Sequence, residues 1–221
     1  AADIGSGLAK AAIAAVVNGE NWDINRVIYV DSEIRLITFK DDYSLELIRH
    51  DCAHILAEAV LELIPETQVT IGPAIETGFY YDFYRKSPFS TDDLATIEQR
   101  MHEIVDRDEE ITRGEWSREE AIRFYKDRNE PFKIELVDAI PEKETVSYYQ
   151  QGNFIDLCRG PHMVSTKKVG HAFKLMKVAG AYWRGDSNNP MLQRIYGTAF
   201  ASQADLQAYL NMLEEAEKRD H

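Results

Sequence analysis

The 221-residue chain predicts an α+β fold on two observations. Its strand-like segments are short, alternating and joined by tight turn signals, and its helix-like segments stand apart from them instead of alternating with them as in a doubly wound sheet. With 44% hydrophobic and 29% charged residues the chain can bury a sizeable core, which excludes disordered and fibrous classes.

The elements follow in order. The run Ala14-Ala15-Val16-Val17 leads into Asn18-Gly19, a pair that tolerates the positive φ of a two-residue hairpin turn. Val27-Ile28-Tyr29-Val30 and Ile34-Arg35-Leu36-Ile37 read as further strands. This leading unit has few apolar residues of its own, so it either docks on the rest of the chain or lacks a piece, and the chain starts at Ala1 without a methionine. From Ser44, as N-cap, a helix runs to about Ile64 and stops at Pro65. At about 100° per residue, Leu45, Ile48, Cys52, Ile55, Ala59, Val60 and Leu63 form one apolar stripe. His50 and His54 lie opposite it, flanked by Leu47, Ala57 and Leu61, so the helix is expected to be sandwiched between a core and something that it lines.

Val69 to Asp82 reads as a hairpin turning at Glu76-Thr77-Gly78, and a helix follows Ser90 with Leu94, Ile97, Met101, Ile104 and Val105 on one side. Ser117 and Glu120 fit a capping box that opens a third, shorter helix. Phe132 to Val137 alternates as a strand, with Lys133 and Glu135 on one face. Asn153 to Cys158 is another strand, Gly180 to Phe200 reads as strand and loop, and a helix from Ser202 to about Arg219 closes the chain.

The apolar stretch Ala11 to Val17 is too short to cross a bilayer and lacks a signal peptide's flanks, so a cytoplasmic protein without a membrane partner is expected. Two cysteines, Cys52 and Cys158, cannot form a disulfide framework; each lies near histidines, which favours thiol or ligand chemistry in a reducing compartment. The net charge of −13 argues against a nucleic-acid partner. Its distribution argues the other way: Arg159, Lys167, Lys168, Lys174, Lys177, Arg184 and Arg194 against Asp186 alone make the 36 residues from Arg159 to Arg194 net +6, while the other 185 carry −19. Interleaved with Phe173, Tyr182 and Trp183, this island suits a phosphate backbone with unstacked bases nearby, or is simply a solvated basic face.

Two motifs can carry chemistry. His50-x-x-x-His54 puts two imidazoles one helical turn apart, close enough to share a ligand or a substrate. Asp51 stands where the zinc-protease motif needs Glu, so that reading is weak, and a pair of this kind also occurs as filler of a polar seam. In Phe154-Ile-Asp156-Leu-Cys158-Arg159-Gly160-Pro161-His162 a strand points Phe154, Asp156 and Cys158 to one side and Ile155 and Leu157 to the other, where they can enter the core. Gly160-Pro161 argues for a turn that brings His162 back beside the thiol. Three histidines and a cysteine match a tetrahedral zinc set and equally a metal-free pocket of donors and general acids. A cysteine nucleophile requires a base and an orienter, and nothing in the sequence singles that pair out.

The motifs His50-x-x-x-His54, Asp156-Leu-Cys158-Arg159-Gly160-Pro161-His162, Ala181-Tyr182-Trp183-Arg184-Gly185-Asp186 and Gln193-Arg194-Ile195-Tyr196-Gly197-Thr198-Ala199-Phe200 resemble, in order and over nearly the whole chain, the amino-terminal region of the bacterial threonyl-tRNA synthetases. The resemblance implies a partial ubiquitin-like TGS domain over 1–41 without its opening hairpin, and an α+β editing domain of the threonyl/alanyl second-additional-domain type over 42–200. It implies a linker helix over 201–221, toward an aminoacylation core that the chain lacks, together with that core's ATP and zinc. It further implies hydrolysis of seryl-tRNA(Thr) to serine and tRNA while threonyl-tRNA(Thr) is spared. Losing a methyl forfeits only about 1–3 kcal/mol of binding, so a synthetase for threonine needs a second sieve against serine.

By the same resemblance His50, Lys133 and Asp156 are the catalytic set, with His50 near the ribose as proton shuttle and Lys133 and Asp156 placing the water. His54, Cys158, His162 and Tyr81 bind the substrate. Arg159, Lys167, Lys168, Lys174, Lys177 and Arg184 receive the tRNA(Thr) acceptor end. No cofactor is expected for editing; should zinc bind, His50, His54, Cys158 and His162 are its ligands. The full-length enzyme is expected to dimerise through regions outside this chain. A free-standing alanyl-type hydrolase with zinc and a non-catalytic tRNA-binding module are the alternatives.

Overall fold

The computed structural model describes residues 1–221 and is built of three antiparallel sheets and six α-helices. After α1 (Ser6–Ala11), strands β1 (Ala12–Val17), β2 (Glu20–Asp23) and β3 (Ile34–Thr38) form the first sheet in the order β2-β1-β3. Asn18 and Gly19 turn the first hairpin with φ of 50° and 84°, as their sequence predicts. The strand expected at Val27–Val30 is absent: β1 already has a neighbour on each side, and Val27, Tyr29 and Val30 are exposed on the connection. High β-propensity without a free partner edge leaves a loop.

The leading sheet is docked. Ile13, Ala14 and Ile37 belong to the same apolar cluster as Leu47, Ile48, Cys52 and Ile55 of α2 (Tyr43–Leu63). That helix begins one residue before Ser44, whose hydroxyl donates to the Phe39 carbonyl at 3.3 Å instead of capping. It is buried on both faces, which explains why apolar residues flank its histidines.

The second sheet takes β4 (Gln68–Val69), β5 (Ala74–Ile75), β6 (Gly78–Tyr84), β10 (Phe173–Tyr182) and β11 (Met191–Ala199), in the order β10-β11-β6-β4 with β5 also on β6. Glu76 and Thr77 join β5 to β6, as expected. Phe79, Tyr81 and Phe83 of β6 point into the core beneath α2, and α3 (Thr91–Asp106), opened by a Ser90/Asp93 capping box, packs on α2 with Ile97, Met101, Ile104 and Val105 buried. The third sheet is β7 (Ile111–Trp116), β8 (Val146–Gln151) and β9 (Phe154–Leu157). Between β7 and β8 lie α4 (Arg118–Asp127), opened by the expected Ser117/Glu120 box, and α5 (Pro131–Ala139). α6 (Gln203–Arg219) closes the chain, its Ser202 side chain accepting from Asp205 N–H.

Two further expectations need correction. Residues 132–137 are helix α5, not a strand: Pro131 at the first turn pre-sets the helical φ, and Lys133 and Val137, four apart, share the buried side. On β9 the core-facing side is the chemical one, since Phe154 and Asp156 are buried while Ile155 and Leu157 are half-buried.

Glu58, one helical turn beyond His54, is 3% exposed beside Glu109 and Glu62. Burial first, and Glu109 second, push its carboxyl from 4.5 up to about 10. The native state therefore holds a proton that the unfolded chain releases, and stability falls as pH rises between those two values. Glu58→Gln, which mimics the protonated form, is expected to gain about 1–3 kcal/mol at pH 8 and to flatten the pH dependence in urea unfolding. Equal urea midpoints for the variant and the parent chain at pH 8 contradict this.

Candidate functional site

α2, α5, β6, β9 and the turn after β9 bring seven of the expected residues together. Asp156 on β9 is the hub. One carboxylate oxygen contacts the Lys133 ammonium from α5, and the other accepts from the Tyr81 hydroxyl of β6 at 2.9 Å with His54 Nε2 3.5 Å away. Lys133, Asp156 and His54 are each no more than 3% exposed, so the ion pair sits in a low-dielectric pocket where its field is little screened. Burial, the neighbouring imidazoles and Lys133 hold His54 well below its ordinary value, and burial with the Asp156 charge holds the Tyr81 hydroxyl protonated as a donor.

The second half of the site is a stack of imidazoles on a thiol. His162 stacks on His50 with ring centroids 4.4 Å apart and lies 4.3 Å from His54. Cys158 Sγ stands 3.0 Å from His50 Nε2 and 3.3 Å from His162 Nε2, and accepts from Gly160 N–H at 3.3 Å. Gly160 has φ 76° and its Cα lies against the Tyr149 ring, so only glycine allows the turn that returns His162 to the thiol. Burial pushes the Cys158 thiol up to about 12, lowers His50 to about 3 and lowers His162 to about 4.

Asp51 is the residue that sequence reasoning missed. It is fully buried, its Oδ1 lies 2.6 Å from His162 Nδ1, and its Oδ2 accepts from Met163 N–H at 3.0 Å. Burial pushes its carboxyl up to about 7. A carboxylate that faces Nδ1 and also accepts a backbone N–H makes Nδ1 the protonated nitrogen of a neutral His162. Nε2 of His162 then accepts a hydrogen bond from the Cys158 S–H, the sulfur accepts from His50 Nε2–H, and His50 Nδ1 is left unprotonated. Cys158, His162 and Asp51 thus stand in the spatial order of a nucleophile, base and orienter, which the sequence does not single out. The half-buried thiol nonetheless stays protonated, which leaves the site suited to positioning and polarising water and not to thiolate attack.

His50, His54, Cys158 and His162 present one donor atom each, all within 4.8 Å of one another, so this group could hold a metal ion. The donor set fits zinc, and Asp51 behind His162 is the outer-shell carboxylate that such a ligand uses. Cavities of about 250 Å³ beside His50, Tyr43 and Pro73 and about 220 Å³ beside Cys158, Arg159 and Ile71 open onto the cluster.

The basic island does not form one patch of free charges. Arg194 is bidentate to Asp82 at 2.8 and 2.9 Å, Arg159 pairs with Glu144 at 2.7 Å and Arg184 lies 3.7 Å from Glu135. Lys167 and Lys168 are exposed on the 3-10 turn packed against α3, and Lys174 and Lys177 are exposed on β10, with Lys177 over the Tyr196 ring.

A leading sheet docked on a two-sided helix, followed by a His/Cys/Lys/Asp pocket, defines a two-part chain whose parts are both recognised. Residues 1–38 match the TGS domain, and residues 146–196 match the threonyl and alanyl tRNA synthetase second additional domain. The chain is similar from end to end to threonine–tRNA ligases: 62% identical over 222 residues to that of Paramagnetospirillum magneticum and 58% over 221 to that of Bartonella quintana, covering 100% of this chain in both cases. To the Rhodopseudomonas palustris ligase it is 60% identical over 218 residues, 99% of this chain. The expected resemblance to the threonyl-tRNA synthetases therefore holds, with both domain types present. The chain spans about a third of these relatives' length, 35%, 34% and 33% respectively. No helix is long and apolar enough to cross a membrane.

Proposed function

We propose that the chain is an editing region that hydrolyses seryl-tRNA(Thr) and spares threonyl-tRNA(Thr), acting in the cytoplasm, with domains at 1–41, 42–200 and 201–221. The observation that carries this is the buried Lys133–Asp156 pair facing His54 and the His50–Cys158–His162 stack. Ester hydrolysis needs a positioned water and a proton for the leaving ribose oxygen. Lys133 and Asp156 hold the water, and the free Nδ1 of His50 relays a proton at the ribose. His54, Cys158, His162 and Tyr81 shape a pocket for the serine hydroxyl that is too small for threonine's extra methyl. The test incubates the chain with both charged tRNAs: serine is released at least tenfold faster than threonine, and equal or absent deacylation of the two rejects the assignment.

Zinc, if bound by His50, His54, Cys158 and His162, would supply a Lewis acid that lowers the pKa of a coordinated water. The Lys133 ammonium beside His54 repels a second cation, which favours a site that works without one. Deacylation is expected to be unchanged by chelator; loss on chelation with recovery on zinc addition overturns this.

Arg159, Lys167, Lys168, Lys174, Lys177 and Arg184 are proposed to receive the tRNA acceptor end. Changing Lys167, Lys168 or Lys177 to Glu is expected to weaken tRNA binding and reduce its salt slope by about 1 for each phosphate no longer neutralised. Hydrolysis of a short serine ester stays intact; equal damage to both substrates removes these lysines from the tRNA path.

A further inference from the structure

Asp23 closes β2, in register opposite Ala14, at the end of the hairpin set by Asn18-Gly19. It belongs to the segment matched as a TGS domain, yet it is 7% exposed and both of its carboxylate oxygens leave that segment. Oδ1 accepts from the backbone N–H of His162 at 2.7 Å, 139 residues away, and Oδ2 accepts from the Tyr149 hydroxyl at 2.7 Å. The Tyr149 ring lies 4.4 Å from the His162 ring, and its hydroxyl end lies where a Cβ on Gly160 would sit. His162 is thus gripped at its main chain by the leading unit and at its side chain by Asp51 of α2.

The geometry points to Asp23 as a positioning residue of the hydrolytic site, through which the TGS-like unit sets the placement of His162 and, through the sulfur of Cys158, of His50. It rests on the proposed editing reaction but does not touch substrate. Two short hydrogen bonds accepted by one buried carboxylate fix both the turn Gly160–His162 and the ring packed on it. Without them the backbone N–H of His162 has no acceptor, and the turn must move to find one. A displacement of about 1 Å at a reacting group costs on the order of 100-fold in rate.

The experiment compares Asp23→Ala, which removes both acceptors, with Asp23→Asn, which keeps one, in the whole chain. Deacylation of seryl-tRNA is read as kcat and KM separately, and the His162 amide and ring nitrogens are followed by ¹⁵N NMR. Asp23→Ala is expected to lower kcat at least tenfold with KM within threefold and to shift the His162 signals, and Asp23→Asn to recover most of kcat. If Asp23→Ala does not fold, Asp23→Val, which suits a strand and offers no acceptor, takes its place with the same expectations. Unchanged kcat with unmoved His162 signals, or a loss of activity that only follows the folded fraction, overturns the assignment. An inert parent chain rejects the editing function instead, and the His162 signals then decide the positioning role alone.

Discussion

Lys133→Met is expected to abolish hydrolysis and to destabilise the fold in the same stroke. The ammonium is the charge partner of an Asp156 that is 2% exposed, and no other cation contacts that carboxylate in the structure. Removing one partner of a buried pair leaves an uncompensated charge, at a cost of about 3–5 kcal/mol. Loss of the group proposed to hold the attacking water is expected to lower kcat by about 10²–10⁴-fold. The two effects separate in the double variant Lys133→Met/Asp156→Asn, which buries no charge. It should regain most of the unfolding free energy in urea and none of the deacylation rate. Recovery of activity in the double variant, or full activity in Lys133→Met, removes the pair from the mechanism.

Asp51→Asn carries the second large effect. An amide keeps the shape of the carboxylate, but only its oxygen accepts, so it cannot serve both His162 Nδ1–H and Met163 N–H, which the two carboxylate oxygens serve at 2.6 and 3.0 Å. When the amide nitrogen faces the ring, the imidazole proton moves to Nε2, where it confronts the Cys158 thiol. A wrong tautomer on an otherwise intact site lowers kcat by about 10²–10⁴-fold. The variant should fold, with a loss of about 1–3 kcal/mol for the unsatisfied group. Its His162 ¹⁵N shifts should exchange character between Nδ1 and Nε2. A variant with parent kcat and exchanged tautomer shows that the thiol and His50 do not depend on His162.

The residues of the pocket were legible in the sequence where periodicity or a motif carried them. His50 and His54 stood on the far face of a long helical repeat, and Gly160-Pro161 announced the turn that brings His162 home. Lys133 follows from the family resemblance, while the residues around it do not fix its element. Apolar residues at 132, 134 and 136 satisfy a period of two, and those at 132, 136 and 137 satisfy a helical period; six residues are too few to choose until Pro131 is weighed. Val27–Val30 failed for another reason, since strand propensity says nothing of whether a partner edge is free. Asp51 was visible only as the wrong residue for a protease motif, although an acid beside a histidine cluster is a natural orienter. Asp23 carried no local signal at all: its partners lie 126 and 139 residues on, and a carboxylate at a strand end ordinarily faces water.

The edges of the second sheet bear on how this chain behaves at high concentration. β4, at one edge, is two residues long and offers almost nothing to pair with, whereas β10, at the other, runs ten residues with no strand on its outer side, where only Leu175 N–H is engaged by a side chain, that of Glu98 of α3 at 2.7 Å. An edge of that length is a template for strand addition between molecules. Lys174 and Lys177 stand on it, and the register breaks between Leu175 and Lys177. Two ammonium groups and a bulge are the devices that keep such an edge from pairing with its own copy. The lysines therefore guard solubility whether or not a nucleic acid lies across them, and exchanging them for apolar β-formers would turn β10 into a site of aggregation.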